Sequence, residues 1–101
     1  MEKNLSVCAL LDVYGAFLSE KQREIMGHYY NDDLSLAEIA ENEGTTRQAA
    51  SDIIRRGEAL LKRYESECGY HKKISEIKRI LSSDAGDGEK LAAVSEIADD
   101  F

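Results

Sequence analysis

Apolar residues recur every three or four positions along most of the chain, which is the spacing of one face of an α-helix. The first such stretch carries a broad apolar stripe, made up of Leu5, Val7, Cys8, Leu10, Leu11, Tyr14, Phe17 and Leu18. The pattern predicts six helices, over residues 4–18, about 20–30, about 36–43, about 47–68, the stretch between Gly69 and Ser82, and about 89–99. The predicted fold class is therefore all-α.

Polar residues and glycines mark the ends of these helices. The segments Ser19–Gln22 and Ser35–Glu38 fit capping boxes, in which a hydroxyl and a side chain three residues later each bond to the other residue's backbone amide. Asn31–Asp33 is typical of a turn. Gly44 ends the third helix, where a left-handed φ is usually required, and Thr46 caps the fourth.

The fourth predicted helix is long for a chain of 101 residues. About twenty residues between Arg47 and Gly69 make a rod of roughly 30 Å, longer than its short neighbours can cover. Its second half is expected to pack on the first helix or on another subunit, and the helices after Gly69 must also bury an apolar stripe. We therefore predict a helix-turn-helix domain over residues 1–69, a C-terminal helical tail over residues 70–101, and a homodimer.

The spacing of residues 36–56 indicates a helix-turn-helix. The small side chain of Ala40 lets two helices approach, Gly44 makes the turn, and Ala50 and Ile53 anchor the second helix to the core. The remaining positions form an outward surface suited to the major groove of DNA. The predicted nucleic-acid-binding residues are Thr46, Arg47, Gln48, Ser51, Asp52, Arg55 and Arg56.

The side chains at these positions have the appropriate chemistry, since Arg pairs with guanine, Gln pairs with adenine, and Arg and Ser reach phosphates. Asp52 could accept a hydrogen bond from cytosine or orient a neighbouring arginine. The alternative is that the arginines form only the solvated face of a long helix. Tyr29 and Tyr30 could stack on bases, but their position beside Met26 is more typical of a core.

Net charge divides the chain into three blocks. The total is −7. Residues 1–43 carry 3 basic and 9 acidic side chains, residues 44–81 carry 9 basic and 5 acidic, and residues 82–101 carry 1 basic and 6 acidic. The only positive block thus contains the predicted interface, while the acidic remainder also permits a protein-binding role.

The motifs around the helix-turn-helix resemble the YlxM family. They are Leu18–Arg23, Tyr29–Ala40, Thr46–Ala49 and Asp52, and the resemblance covers roughly residues 5–68. It extends more distantly to the domain with which bacterial sigma factors read the −35 promoter element. The family is encoded beside components of the signal recognition particle, so the resemblance implies a DNA-binding-like fold and an accessory role with the particle's RNA or its GTPases.

Three residues depart from the family pattern. Glu43 and Thr45 flank the turn glycine at positions where apolar residues are usual, and Ser51 stands where the family often has an aromatic residue. A buried unpaired carboxylate is costly, so Glu43 is expected to be exposed or paired. These departures affect base-specific reading more than the fold.

Other chemistry is not predicted. There is no apolar run of membrane-spanning length, and Met1–Leu5 lacks the pattern of a signal peptide, so a cytoplasmic location is expected. Cys8 and Cys68 are expected to be reduced packing thiols. His28 and His71 are expected at the surface, without a carboxylate arranged for catalysis or metal binding. We predict no enzyme activity, no cofactor and no metal site.

Two functions remain open from the sequence. The first is binding of duplex DNA or signal recognition particle RNA through the helix that begins at Arg47. The second is a protein adaptor that binds a particle GTPase without reading bases.

Overall fold

The computed structural model describes residues 5–101, and these residues form helices without any strand. This confirms the all-α prediction. The helices are α1 Leu5–Tyr14, α2 Glu20–Tyr30, α3 Leu36–Glu43, α4 Arg47–Cys68, α5 Tyr70–Leu81 and α6 Asp87–Asp99, with a short 3₁₀ helix, Gly15–Phe17, after α1. None of the helices in the described range is long and apolar enough to cross a membrane. Residues 1–4, on which the signal-peptide expectation mainly rests, lie outside the described residues.

The chain forms two compact units, one that ends at Glu67 and one that comprises Cys68–Phe101. The sequence predicts a helix-turn-helix domain over residues 1–69 and a helical tail over residues 70–101. Whether each part folds as a domain stays a prediction.

Both predicted capping boxes are present. Ser19 accepts a hydrogen bond from the amide of Gln22 at 3.2 Å, and the Gln22 side chain accepts one from the amide of Ser19 at 3.2 Å. Ser35 and Glu38 make the same exchange, with both distances at 3.1 Å. Each cap contributes about 1 kcal/mol by satisfying amides that the first helical turn leaves unpaired. These two boxes determine where α2 and α3 begin.

The turn between α3 and α4 is a Schellman motif. Gly44 has φ 64° and ψ 36°, the left-handed conformation that the sequence predicts. The amide of Thr45 donates to the carbonyl of Ala40 at 2.9 Å, and the amide of Gly44 donates to Glu41 at 3.3 Å. The chain therefore reverses within three residues and brings α4 across α3.

Residues from α1, α2, α3 and α4, together with Leu18, make up the core of the first unit. Ala40 is buried at 5% exposure, and Ile25, Ile39 and Ile54 are fully buried. The buried hydrophobic side chains are those of Val7, Leu10, Leu11, Tyr14, Leu18, Ile25, Met26, Tyr29, Ile39, Ala40, Ala50, Ile54 and Leu61. Ala40 thus occupies the interior position that the helix-turn-helix prediction requires.

The second half of α4 packs on α1 of the same chain. Leu61 is fully buried, and the Tyr14 hydroxyl donates to Glu65 at 2.6 Å. The rings of Tyr14 and Tyr64 lie 6.0 Å apart. The second half of α4 was predicted to pack on the first helix or on another subunit. The structure shows the contact with the first helix.

The predicted extent of the first helix is wrong. α1 ends at Tyr14 rather than at residue 18, because the 3₁₀ helix follows. The ring centroid of Phe17 lies 6.5 Å from that of Tyr14 and 6.1 Å from that of Tyr64. Phe17 is 65% exposed and Leu5, at the first described turn, is 84% exposed. Neither belongs to the core, although both were expected on the apolar stripe.

The second unit is a small pair of helices without a buried residue in either helix. α6 begins at Asp87, two residues earlier than predicted, because an acidic residue in the first turn suits the helix N-terminus. The rings of Tyr70 and Phe101 stack with centroids 5.5 Å apart, and the Lys73 ammonium lies 5.1 Å from the Phe101 ring centroid. Lys73 also donates to the carbonyl of Asp100 at 2.5 Å.

Candidate nucleic-acid interface

The capping residue of α4 and its first three turns carry all seven predicted interface residues. Thr46 caps the helix by accepting a hydrogen bond from the amide of Ala49 at 3.0 Å. There is no acidic residue in the first turn of α4. Five of the seven residues are exposed and two, Ser51 and Asp52, are half-buried. The structure therefore leaves this segment accessible on the surface of the first unit.

The seven residues do not all lie on one face of α4. Each residue turns the helix by about 100°, so Arg47 is almost in line with the buried Ile54 seven positions later. Arg47 is exposed only because it is the first residue of α4. It lines an open groove of about 380 Å³ beside the start of α3, with Tyr29, Asp33, Ser35, Leu36, Ala37 and Glu38.

Arg55 and Arg56 lie on other sides of α4, about 80° and about 180° around the helix axis from Arg47. Together with Asp52 and Ala59 they line a second open groove of about 380 Å³. Arg55 donates from Nη2 to the Asp52 carboxylate, and the side chains are 62% and 43% exposed. Asp52 thus holds an arginine, which was the second of its two predicted roles. Gln48 lies one turn before Asp52 on the same side.

The turn behind the interface is stabilised by an ion pair that sequence reasoning missed. The Lys21 ammonium donates to Glu43 Oε2 at 2.9 Å, and the Glu43 side chain is only 12% exposed. This hydrogen bond is the main cause that lowers the pKa of Glu43 and raises the pKa of Lys21. The expectation that Glu43 is exposed or paired is therefore correct. Its partner, Lys21, lies 22 positions earlier in the sequence.

The expectation that no carboxylate is arranged around His28 is wrong. His28 Nδ1 lies 3.0 Å from Asp32 Oδ2, and Nε2 lies 3.7 Å from Glu43 Oε1. Glu24 belongs to the same cluster. The spacing of Glu24, His28 and Asp32 by four residues was visible in the sequence, but only the packing of α3 on α2 adds Glu43.

The two tyrosines before the turn have structural roles. Tyr29 is 3% exposed and belongs to the core. Tyr30 is half-buried, and its hydroxyl donates to the Glu58 carboxylate. Burial, followed by this hydrogen bond, raises the pKa of Tyr30. Cys8 and Cys68 are free thiols, as expected.

A family model for helix-turn-helix proteins of the YlxM / p13 type, UPF0122, matches residues 1–101. The chain belongs to the UPF0122 family. The UPF0122 protein of Clostridium kluyveri is 54% identical over 67 residues, which are 66% of this chain and 60% of that protein. The UPF0122 protein of Shouchella clausii is 41% identical over 91 residues, 83% of this chain and 84% of that protein.

The UPF0122 protein of Clostridium acetobutylicum is similar over nearly its full length. It is 37% identical over 111 aligned positions, which cover 100% of this chain and 96% of that protein. The chain spans only about 60% of the length of the first Clostridium relatives. Membership of UPF0122 confirms the predicted resemblance and the helix-turn-helix fold.

Proposed function

We propose that this UPF0122 chain binds nucleic acid through the first three turns of α4. The supporting observation is the Schellman turn at Gly44, which crosses α4 over α3 and leaves Arg47, Arg55 and Arg56 exposed. Between Arg47 and Gly57 the only acidic residue is Asp52. A segment with three accessible guanidinium groups and one carboxylate attracts phosphates.

The two groups of arginines have different tasks in this proposal. Arg47, beside the N-terminal ends of α3 and α4, contacts the phosphate backbone, because helix N-termini carry partial positive charge. Gln48, Arg55 and Arg56 face outward and contact base edges. Arg55 uses one of its five donors on Asp52, so the others stay available for guanine.

Duplex DNA is the ligand that this geometry favours. An α-helix of about 10–12 Å diameter fits the major groove of B-form DNA, which is about 12 Å wide. The major groove of an RNA duplex is too narrow and deep for side chains to read. Signal recognition particle RNA, the other predicted ligand, would have to be bound through phosphates or unpaired loops.

Fluorescence anisotropy tests this proposal. The labelled probes are a mixed-sequence DNA duplex and signal recognition particle RNA, each titrated at several salt concentrations. The double variant Arg47→Ala/Arg55→Ala should weaken binding and reduce the slope of log affinity against log salt by about one per lost phosphate contact. Arg23→Ala/Arg79→Ala removes two exposed arginines elsewhere and is the matched control. Equal affinities for the two double variants would contradict the proposal.

The acidic charge of residues 1–43 supports a second candidate function. In it, the chain is a cytoplasmic adaptor that binds a signal recognition particle GTPase through its acidic surface, without catalysis and without reading bases. This candidate predicts that purified GTPase binds the Arg47→Ala/Arg55→Ala variant as tightly as the original chain. If neither probe nucleic acid binds and the GTPase does, the adaptor function replaces the first proposal.

A further inference from the structure

Three side chains with metal-binding atoms converge where α2 meets the last turn of α3. Glu24 and His28 lie one turn apart on α2, and Glu43 is the last residue of α3. One ligand atom from each residue lies within 4.8 Å of the others. The cluster therefore offers one imidazole nitrogen and two carboxylate oxygens, a donor set that suits divalent transition metals.

The distance between His28 and Glu43 is typical of two ligands that share an ion. His28 Nε2 lies 3.7 Å from Glu43 Oε1, which is too long for a hydrogen bond. Two atoms that each lie about 2.1 Å from a tetrahedral zinc ion are about 3.4 Å apart. A shift of a few tenths of an ångström would bring both atoms to one ion.

The imidazole of His28 is oriented for coordination. Its Nδ1 lies 3.0 Å from Asp32 Oδ2, and since a carboxylate accepts, Nδ1–H donates this hydrogen bond. The lone pair of Nε2 then faces Glu43. A carboxylate that holds the far nitrogen of a metal-binding histidine is the usual outer partner at zinc sites.

The cluster brings two carboxylates close together. One ligand atom of Glu24 lies within 4.8 Å of one of Glu43, and two carboxylates this close repel each other unless a cation or a proton lies between them. Lys21 occupies Glu43 Oε2 only. Glu43 Oε1, which faces His28, is the oxygen that a metal ion would bind.

We propose that Glu24, His28 and Glu43 bind a divalent transition metal ion of the zinc class, with water as the fourth ligand and Asp32 as the residue that positions His28. The ion cross-links α2 to the last turn of α3, directly before Gly44. The site is independent of the proposed nucleic-acid interface, because none of its residues belongs to that surface.

Isothermal titration with zinc chloride, beside magnesium chloride, tests the site in the full chain. We expect one zinc ion per chain, no comparable magnesium binding, and a zinc-dependent rise in the melting temperature. The titration is repeated in Cys8→Ser/Cys68→Ser, because free thiols also bind zinc. Loss of zinc binding in this thiol-free chain would overturn the proposal.

Point variants in the thiol-free chain assign the ligands. Asp32→Asn should weaken zinc binding about 10–100-fold, and Glu24→Gln and His28→Gln should weaken it more. Lys21→Met should strengthen it, because the competing ammonium is removed. His71→Gln removes the other histidine and should leave binding unchanged. Circular dichroism checks that each variant is folded, and wild-type affinity in folded Glu24→Gln and His28→Gln would overturn the proposal.

Discussion

Gly57 of α4 lies directly against the buried side chain of Met26 on α2. A Cβ atom built on Gly57 overlaps Met26 Sδ and also comes within 3.1 Å of Met26 Cε. Both residues are buried, and Met26 has no exposed surface. The absence of a side chain at position 57 therefore allows α4 to approach α2 closely in the middle of its length.

Replacing Gly57 with alanine should destabilise the first unit. The overlap with Met26 lowers the free energy of unfolding by about 1–3 kcal/mol. The better helix propensity of alanine raises it by about 1 kcal/mol, so a net loss is expected. Gly27→Ala is the matched control, because its Cβ would meet only Asn31 Nδ2 at 4.0 Å. Urea unfolding should show a loss of stability for Gly57→Ala and a gain for Gly27→Ala. A gain for both variants would mean that the contact with Met26 is not restrictive.

Tyr14→Phe should also destabilise the chain, because it removes the hydrogen bond that joins α1 to α4. The hydroxyl donates to the Glu65 carboxylate at 2.6 Å, and Tyr14 has no exposed surface. A hydrogen bond to a charged group contributes about 1.5–3 kcal/mol. Thermal and urea unfolding measure the change. Tyr64→Phe, in the same aromatic cluster, is the control and should have a smaller effect.

The ion pair of Lys21 and Glu43 predicts a loss of stability in acid. The hydrogen bond from Lys21 lowers the pKa of Glu43 below its ordinary 4.5. A carboxyl with a lowered pKa in the folded state stabilises the protein above its unfolded pKa, and this stabilisation is lost as the pH falls through the folded value. Lys21→Met should therefore reduce the decline in unfolding free energy below pH 4.5.

Urea unfolding across that acid range measures the decline. Lys62→Met, at an exposed position on α4, removes the same charge and should keep the original pH dependence. The prediction fails if Lys21→Met and Lys62→Met show the same slope.

Asp52→Asn should raise the affinity for nucleic acid if the proposed function is correct. The change removes the one carboxylate among the outward residues and releases Arg55 from its ion pair. Glu67→Gln is the control, because it releases Arg63 from a similar pair at the far end of α4. Anisotropy with the DNA duplex should show tighter binding for Asp52→Asn and unchanged binding for Glu67→Gln. An equal gain in both variants would indicate a response to net charge only.

The predicted homodimer was inferred from the length of α4 and from the apolar stripes of the last two helices, and we expect these stripes to form its interface. Leu81 and Leu91 are 56% and 70% exposed. We expect light scattering to give the mass of a dimer, and Leu91→Asn to give a monomer. Leu5→Asn, at an exposed leucine of the first unit, should remain dimeric. A monomer at every concentration of the original chain would end this prediction.

Local chemistry was readable from the sequence because its partners are close along the chain. The capping boxes at Ser19 and Ser35 and the left-handed turn at Gly44 each depend on residues within five positions. The end of α1 was not readable, since Phe17 fits the apolar spacing of a longer helix. The structure instead has a 3₁₀ helix at Gly15–Phe17, and Phe17 is largely exposed.

The amino-acid sequence alone determined the all-α class, the helix-turn-helix and the segment that begins at Arg47, because helix periodicity and caps are local properties. Only the tertiary structure decided that Arg47 and Arg55 line different grooves, and that Glu43 joins Lys21 and His28. These relationships depend on how α3 crosses its neighbours. Glu43 lies 22 positions from Lys21 and 15 positions from His28, so they meet there through packing, which no local pattern specifies.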